Sequence, residues 1–226
     1  MNRLVIPLFV LALLAIGGGA AWYLIDSHND SLARLEQVAS TTPDLSQGLA
    51  IYSNGTYGFT LFYPENAMVS YSFDPSYHLG TSWRANALPD AQGTPLVAII
   101  PYATQSEHSY PRYYNAMVRI GVSADPREIE RCLEPARDQG ETALPDRDIN
   151  GVTWKAFAFE SAGMMQYARG ISYRTMREEG CIALEQVRTG SSYREAEPAP
   201  RDIPDETLDA AYARLEDIVE SISFVR

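Results

Sequence analysis

Hydrophobic and polar residues alternate over much of the middle of the chain, and a period of two is typical of β-strands with one buried face. The alternation predicts strands over Tyr57–Pro64, Val69–Phe73 and Ala116–Val122. The run Leu96–Ile100 is apolar throughout and predicts a central strand. This part of the chain is therefore expected to form an antiparallel sheet.

Three more strands are predicted beyond it, over Val152–Phe159, Met164–Thr175 and Cys181–Val187. Asn150 and Gly151 precede the first of them, and this dipeptide is a strong signal for a tight hairpin turn. The sheet is expected to continue through this region.

The period of apolar residues changes to three and four between Leu208 and Ile222, which predicts an amphipathic helix that lies on the sheet, with Pro204, Asp205 and Glu206 in its first turn. Ser223–Val225 then suits a brief last strand. A short helix is predicted over Pro126–Leu133, with Asp125 as its N-cap. Together these elements predict an α+β fold with one mainly antiparallel sheet and its helices on one side.

The amino-terminal run Leu4–Ile25 carries no charge, and as a helix it spans roughly 33 Å, enough for a hydrocarbon core of about 30 Å. Arg3 on one side and Asp26 on the other favour an orientation with the carboxyl end outside the cytoplasm. The small residues Gly19–Ala21 leave an alternative, in which the run is a cleaved signal peptide and the mature protein is secreted.

The pattern thus predicts three segments, a membrane helix over 1–25, a polar stalk over 26–48 and an exported domain over 49–226. In a Gram-negative bacterium the exported domain lies in the periplasm. A formal net charge of −11 repels nucleic acid, so no nucleic-acid partner is predicted.

The chain contains two cysteines, Cys132 and Cys181. In an oxidising compartment a single pair is most simply a disulfide. Two free buried thiols and a catalytic role remain the alternatives. Neither cysteine has a second Cys or a His at close ligand spacing, so a metal role is disfavoured.

The segment Tyr57–Pro64 reads YGFTLFYP, and this Tyr-Gly-Phe strand ending in Tyr-Pro resembles the opening of domains related to the photosystem II subunit PsbP. DcrB-type bacterial envelope proteins open similarly, and the end of their final helix resembles Ile218–Val225. The resemblance covers roughly Leu49–Arg226 through these motifs and the order of elements. It implies an αβα-like sandwich used for binding and assembly, without a shared active site, so it assigns no functional residue here.

Motifs for common chemistry are missing from the sequence. There are three histidines, with no His-Glu-x-x-His pattern and no Gly-x-Ser-x-Gly elbow. The segment from Asp146 to Gly151 copies the first half of a calcium loop, but Phe157 stands where a bidentate Glu belongs, and hairpin turn chemistry explains the same residues. No cofactor, metal or catalytic residue is predicted.

Aromatic and arginine side chains cluster between two predicted strands, and these types dominate binding hot spots. The candidate binding residues are Tyr102, His108, Tyr110, Arg112, Tyr113 and Tyr114. The alternative is a surface loop whose tyrosines fold back on the sheet. A second set, Tyr167, Arg169 and Tyr173 on one strand face with Arg174 on the other, is interpreted as ordinary sheet surface.

These observations favour a noncatalytic, membrane-anchored binding or assembly module outside the cytoplasm, with an envelope protein or a glycan as its partner. The alternative function is an envelope enzyme or small-ligand carrier whose acidic site is not recognisable in one dimension. A pocket lined by clustered Asp and Glu side chains would favour that alternative.

Overall fold

The computed structural model describes residues 48–73, 78–88, 90–103, 114–178, 180–191 and 205–224. The contacts divide the chain at Gly48, and the unit described below is Gly48–Arg226. The predicted membrane helix and nearly all of the predicted stalk lie outside the described residues. Within the described ranges no helix has the length and apolar character needed to cross a membrane.

Ten strands form two sheets in the part of the chain that the structure describes, and every strand pairing given for them is antiparallel. The small sheet has the order β1-β2-β10 and the large sheet the order β3-β4-β5-β9-β8-β7-β6. The strands of the small sheet are β1 Leu49–Asn54, β2 Phe59–Pro64 and β10 Ser223–Phe224. The strands of the large sheet are β3 Met68–Ser70, β4 Thr94–Ala103, β5 Tyr114–Ser123, β6 Thr142–Ile149, β7 Val152–Gly163, β8 Gln166–Arg177 and β9 Gly180–Ser191.

Two α-helices complete the described elements, α1 Pro126–Glu130 and α2 Asp205–Glu220, with a short 3₁₀ turn over Arg137–Gln139. Asp125 caps α1 as predicted, because its carboxylate accepts a hydrogen bond from the Arg127 amide at 3.0 Å. The helix ends earlier than the predicted Leu133.

The mainly antiparallel architecture is confirmed, but the prediction of a single sheet is wrong. β2 pairs with β1 along its length and with β10 at its start. Both partners of β2 therefore belong to the small sheet. The Ser221 hydroxyl reinforces this closure by accepting a hydrogen bond from the Phe62 amide at 2.9 Å. The predicted strand Val69–Phe73 shortens to β3, and Tyr71, expected to be half-buried, is 71% exposed.

Helix α2 covers one face of the large sheet. The residues that alternate along β5, from Ala116 to Val122, are all at most 3% exposed and pack with Leu215 and Ile218 of α2. Phe59 of the small sheet joins the same core. We call this side of the large sheet the helix face.

The opposite face is covered by a non-regular segment, residues 78–93 with residue 89 not described, which we call the strap. Helix α1 also packs on this side, so the prediction that both helices lie on one side is wrong. Trp83 of the strap is 1% exposed, and a Cβ atom at Gly121 of β5 would lie 1.8 Å from the Trp83 carbonyl oxygen. Gly121 therefore permits the strap backbone to touch the sheet.

The predicted disulfide is confirmed. Cys132, just after α1, is bonded to Cys181 at the start of β9, with a Cα–Cα distance of 5.7 Å. Both cysteines are buried beside Trp83. The bond therefore fastens the region after α1 to the centre of the large sheet on the strap side.

Candidate functional site

Six charged side chains are buried between the strap, the region around α1 and the large sheet. They are Arg84, Arg119, Arg174, Glu128, Glu141 and Glu185, each at most 6% exposed. Because three arginines face three glutamates, the formal charges of this buried ionic cluster cancel. A neutral, fully buried cluster is the arrangement in which ionic groups are tolerated inside a protein.

Glu141 connects two arginines of the cluster. Its carboxylate pairs with Arg174 and lies 3.6 Å from Arg84, which also lies 3.4 Å from Glu128. The second oxygen of Glu141 accepts a hydrogen bond from the Ala136 amide at 2.8 Å. The Glu141 carboxylate is thus committed to partners within the fold.

Glu185 fastens the strap to β9. Its two oxygens accept hydrogen bonds from the Ala85 amide at 3.0 and 2.9 Å, and one of them lies 3.6 Å from Arg119 Nε. Burial lowers the pKa of Arg119, while the negative charge of Glu185 opposes that shift. Arg119 also donates to the Ser82 carbonyl at 3.2 Å. This cluster holds the strap in place and offers no vacant carboxylate for chemistry.

The helix face presents a concavity beside α2, above β6 to β9, with a volume of about 590 Å³. This volume lies in the range of small-molecule binding sites. Its lining includes apolar groups from Ala158 and Ile171 and polar groups from Thr142 and Gln186. Three charged residues, Arg169, Arg188 and Glu160, also line it.

The two arginines lie directly opposite each other. Arg169 of β8 pairs in register with Arg188 of β9, and Glu160 of β7 is the partner of Arg169 on its other side. All three belong to the cross-strand rows that alternate onto the helix face, as does Tyr173 beneath α2. The core face of the sheet therefore becomes charged where α2 no longer covers it.

Tyrosines support both arginines. The Arg188 guanidinium carbon lies 3.9 Å from the centre of the Tyr212 ring, and that of Arg169 lies 5.2 Å from the Tyr167 ring. Burial raises the pKa of Tyr167, with the Tyr212 side chain contributing through its charge and a hydrogen bond. Tyr167 and Tyr212 thus form a linked aromatic pair, here called the aromatic wall, in contact with the two arginines that line the concavity.

Helix α2 orders the Gln186 side chain in the lining of the concavity. The Gln186 side-chain amide donates to Glu216, and Glu216 also pairs with Arg147. Arg147 Nη2 lies 2.6 Å from Glu220 as well, so two carboxylates of the helix are held by one arginine. These contacts engage Glu216 and Glu220 of α2 with Gln186 and Arg147.

Most of the sequence-predicted binding surface falls outside the described residues, namely His108, Tyr110, Arg112 and Tyr113. Tyr102 lies in β4 opposite Ala116, with its backbone alone described. Tyr114 begins β5, is 9% exposed and pairs with Gly190, which in turn pairs with Tyr167. Tyr114 therefore lies in the same cross-strand row as Tyr167 of the aromatic wall.

The second predicted set divides between the two faces as expected, but its interpretation as ordinary sheet surface is wrong for two members. Tyr173 is 3% exposed beneath α2, and Arg174 is 1% exposed in the ionic cluster. Tyr167 and Arg169 instead border the concavity. Sequence reasoning missed Arg188, Glu160 and Tyr212, which enter the site through strand register and helix packing.

The calcium half-motif proves to be a hairpin turn. Asn150 and Gly151 both have positive φ values, 51° and 78°, between β6 and β7. The Asp148 carboxylate accepts a hydrogen bond from the Gly151 amide at 3.1 Å. Across the described ranges, no group of three or more His, Cys, Asp or Glu side chains is arranged to hold a metal ion.

Comparisons with known proteins found solved structures that are similar to this chain, and two of them are described here. No family model and no curated protein matches the chain. The chain is similar to the solution structure of cyanobacterial PsbP (CyanoP) from Synechocystis sp. PCC 6803, with 12% identity, a TM-score of 0.39, and coverage of 79% of this chain and 94% of that chain.

It is also similar to a crystal structure from Bacteroides thetaiotaomicron, with 13% identity and a TM-score of 0.34. That match covers 80% of this chain and 49% of the other, so this chain spans about half the length of the Bacteroides protein. Both likenesses concern the fold alone.

Proposed function

We propose that the chain is a noncatalytic binding protein, anchored outside the cytoplasm by Leu4–Ile25, and that its ligand is a small molecule held in the concavity of the helix face. The observation that carries the proposal is the concavity of about 590 Å³ itself, with an aromatic wall and two arginines beside an apolar floor. Aromatic rings and guanidinium groups beside an apolar floor are typical of binding sites.

The enzyme alternative requires carboxylates that are available for chemistry. The buried glutamates of the strap face are instead engaged by arginines and backbone amides, as the contacts of Glu141 and Glu185 illustrate. Among the described residues that line the concavity, Glu160 is the one carboxylate. These placements support binding over acid–base catalysis, which commonly uses a pair of tuned groups.

The test is a thermal-shift screen of the full chain in mild detergent, against small molecules grouped as anionic, neutral and cationic. A ligand of the folded state raises the melting temperature in proportion to its occupancy. Wild type is compared with Ala158→Phe, which fills the floor of the concavity. The matched control is Ala143→Phe, on the neighbouring strand β6 and in the row that faces the strap side.

The proposal expects at least one class to raise the melting temperature of wild type and of Ala143→Phe, and the rise to disappear in Ala158→Phe. Mass spectrometry then recovers the ligand unchanged after prolonged incubation. Equal shifts in all three proteins would place binding elsewhere, and no shift with any class would refute ligand binding in the concavity. Conversion of the ligand would establish the enzyme alternative.

A further inference from the structure

Two arginines that face each other across neighbouring strands repel, and such pairs of like charges destabilise a sheet. Arg169 and Arg188 form such a pair at the centre of the large sheet. In the described part of the chain neither guanidinium has a carboxylate within salt-bridge distance. Because Arg169 is exposed and Arg188 is half-buried, solvent screens part of this repulsion, and no salt bridge to a described carboxylate removes the rest.

The arginines of the strap face provide the contrast. Arg84, Arg119 and Arg174 each lie within 3.6 Å of a glutamate oxygen. The buried arginines of the strap face are thus neutralised, whereas the exposed Arg169 and the half-buried Arg188 have no salt bridge to a described carboxylate. The second arrangement lies inside a concavity large enough for a ligand.

Stacking orients the Arg188 guanidinium without using its hydrogen-bond donors. A guanidinium carbon 3.9 Å from the Tyr212 ring centre leaves the N–H groups at the edge of the plane available for an acceptor. Guanidinium edges match the oxygens of carboxylate and phosphate groups, and such charge-assisted bonds are among the strongest that side chains make.

We propose that the concavity binds an oxyanion group, a carboxylate, phosphate or sulfate, of its small-molecule ligand between Arg169 and Arg188. This inference rests on the proposed function and adds the chemical class of the ligand. The body of the ligand lies along the apolar floor of Ala158 and Ile171, while the oxyanion supplies a counter-charge that no described carboxylate provides through a salt bridge. The chain as a whole carries a net charge of −11, so the arginine pair is a local exception.

Glu160 allows a second test of the proposal, in which a substitution is expected to strengthen binding. It is the register partner of Arg169, and no ion pair within 4 Å joins these two described residues. A bound oxyanion is repelled by this carboxylate, so Glu160→Gln strengthens oxyanion binding by roughly threefold at low salt. Arg169→Gln and Arg188→Gln act in the opposite direction, each weakening it about tenfold or more.

The experiment measures the melting temperature of the full chain in detergent against increasing inorganic phosphate, sulfate or acetate, with ionic strength held constant by sodium chloride. Comparison of the three anions identifies which oxyanion the site prefers. The variants are Arg169→Gln, Arg188→Gln and Glu160→Gln. Arg131→Gln is the control because Arg131 is exposed at the end of α1, on the strap side.

The expected result is stabilisation of wild type and Arg131→Gln by at least one oxyanion, loss of that effect in both site arginine variants, and a stronger effect in Glu160→Gln. The proposal is overturned if no oxyanion stabilises wild type beyond sodium chloride, or if all four variants respond alike. A neutral ligand that stabilises wild type but not Ala158→Phe, without any oxyanion effect, would refute the anion class and leave the proposed function standing.

Discussion

The charged residues of this domain form two groups, those of the buried ionic cluster and those exposed to solvent. Substitutions in the two groups are expected to change the stability of the domain by different amounts. In the buried cluster, removal of one partner leaves an uncompensated charge out of water, which costs about 3–5 kcal/mol. Glu141 is the sharpest test because its carboxylate serves two arginines and the Ala136 amide.

We expect Glu141→Gln to lower the free energy of unfolding by about 3–5 kcal/mol, measured by denaturant unfolding of the full chain. The matched control is Asp146→Asn, which removes an ion pair with Lys155 whose two side chains are 46% and 44% exposed. That change is expected to cost no more than about 1 kcal/mol. Comparable losses in the two variants would contradict a structural role for the buried cluster.

The roles of several residues could be predicted from the sequence. Asp125 as a cap, the Asn150-Gly151 turn and the disulfide of Cys132 with Cys181 are all present in the structure. Arg188 was not predictable as a site residue. Its partnership with Arg169 depends on the β8–β9 register, in which Arg177 pairs with Gly180. The two intervening residues of the sequence are both glutamates, which carry no turn signal.

At the scale of elements, the predicted strands exist, but the sequence did not show how they are divided between two sheets. β1 and β6 were missed because neither has a clean apolar alternation, and β6 contains Pro145 and three charged residues. The small sheet is completed by β10, a strand of two residues near the end of the chain. Short strands carry too little pattern to identify their partners.

The strap is an element that the sequence did not indicate, and its contact with Gly121 is testable. We expect Gly121→Ala to force the Trp83 carbonyl away from β5 and to lower the free energy of unfolding by about 1–3 kcal/mol. Gly55→Ala is the control, because a Cβ there meets nothing within 4 Å. If both variants unfold at the same denaturant concentration as wild type, the close contact between the strap and the sheet is incorrect.

The disulfide should stabilise the same side of the sheet through the unfolded chain. It joins residues 49 apart, and loop-closure entropy gives roughly 4 kcal/mol for a loop of that size. The double variant Cys132→Ser with Cys181→Ser is expected to unfold at lower denaturant concentration by a corresponding amount. Non-reducing peptide mapping of protein isolated from its native compartment checks the bond directly, and two alkylatable thiols in that protein would rule it out.

At the scale of the whole molecule, the anchor and the orientation remain predictions from the sequence. We expect a reporter fused to the carboxyl end to be active outside the cytoplasm, since Arg3 and Asp26 flank the apolar run in that sense. An active cytoplasmic reporter would contradict this orientation. A mature amino terminus at Trp22 would show that the run is a signal peptide instead of an anchor.

The helix-face concavity lies beside α2, with Arg169 and Arg188 in its lining, Tyr212 of α2 stacked on Arg188 and Tyr167 beside Arg169. The central claim is that a ligand occupies this place. The most direct measurement is the rate at which phenylglyoxal modifies individual arginines of the wild-type chain, followed by mass spectrometry, with and without the ligand that raises the melting temperature most. The account predicts that the ligand slows modification of Arg169 and Arg188 while Arg131 reacts at an unchanged rate. Unchanged rates at Arg169 and Arg188, or equal protection of Arg131, would contradict it.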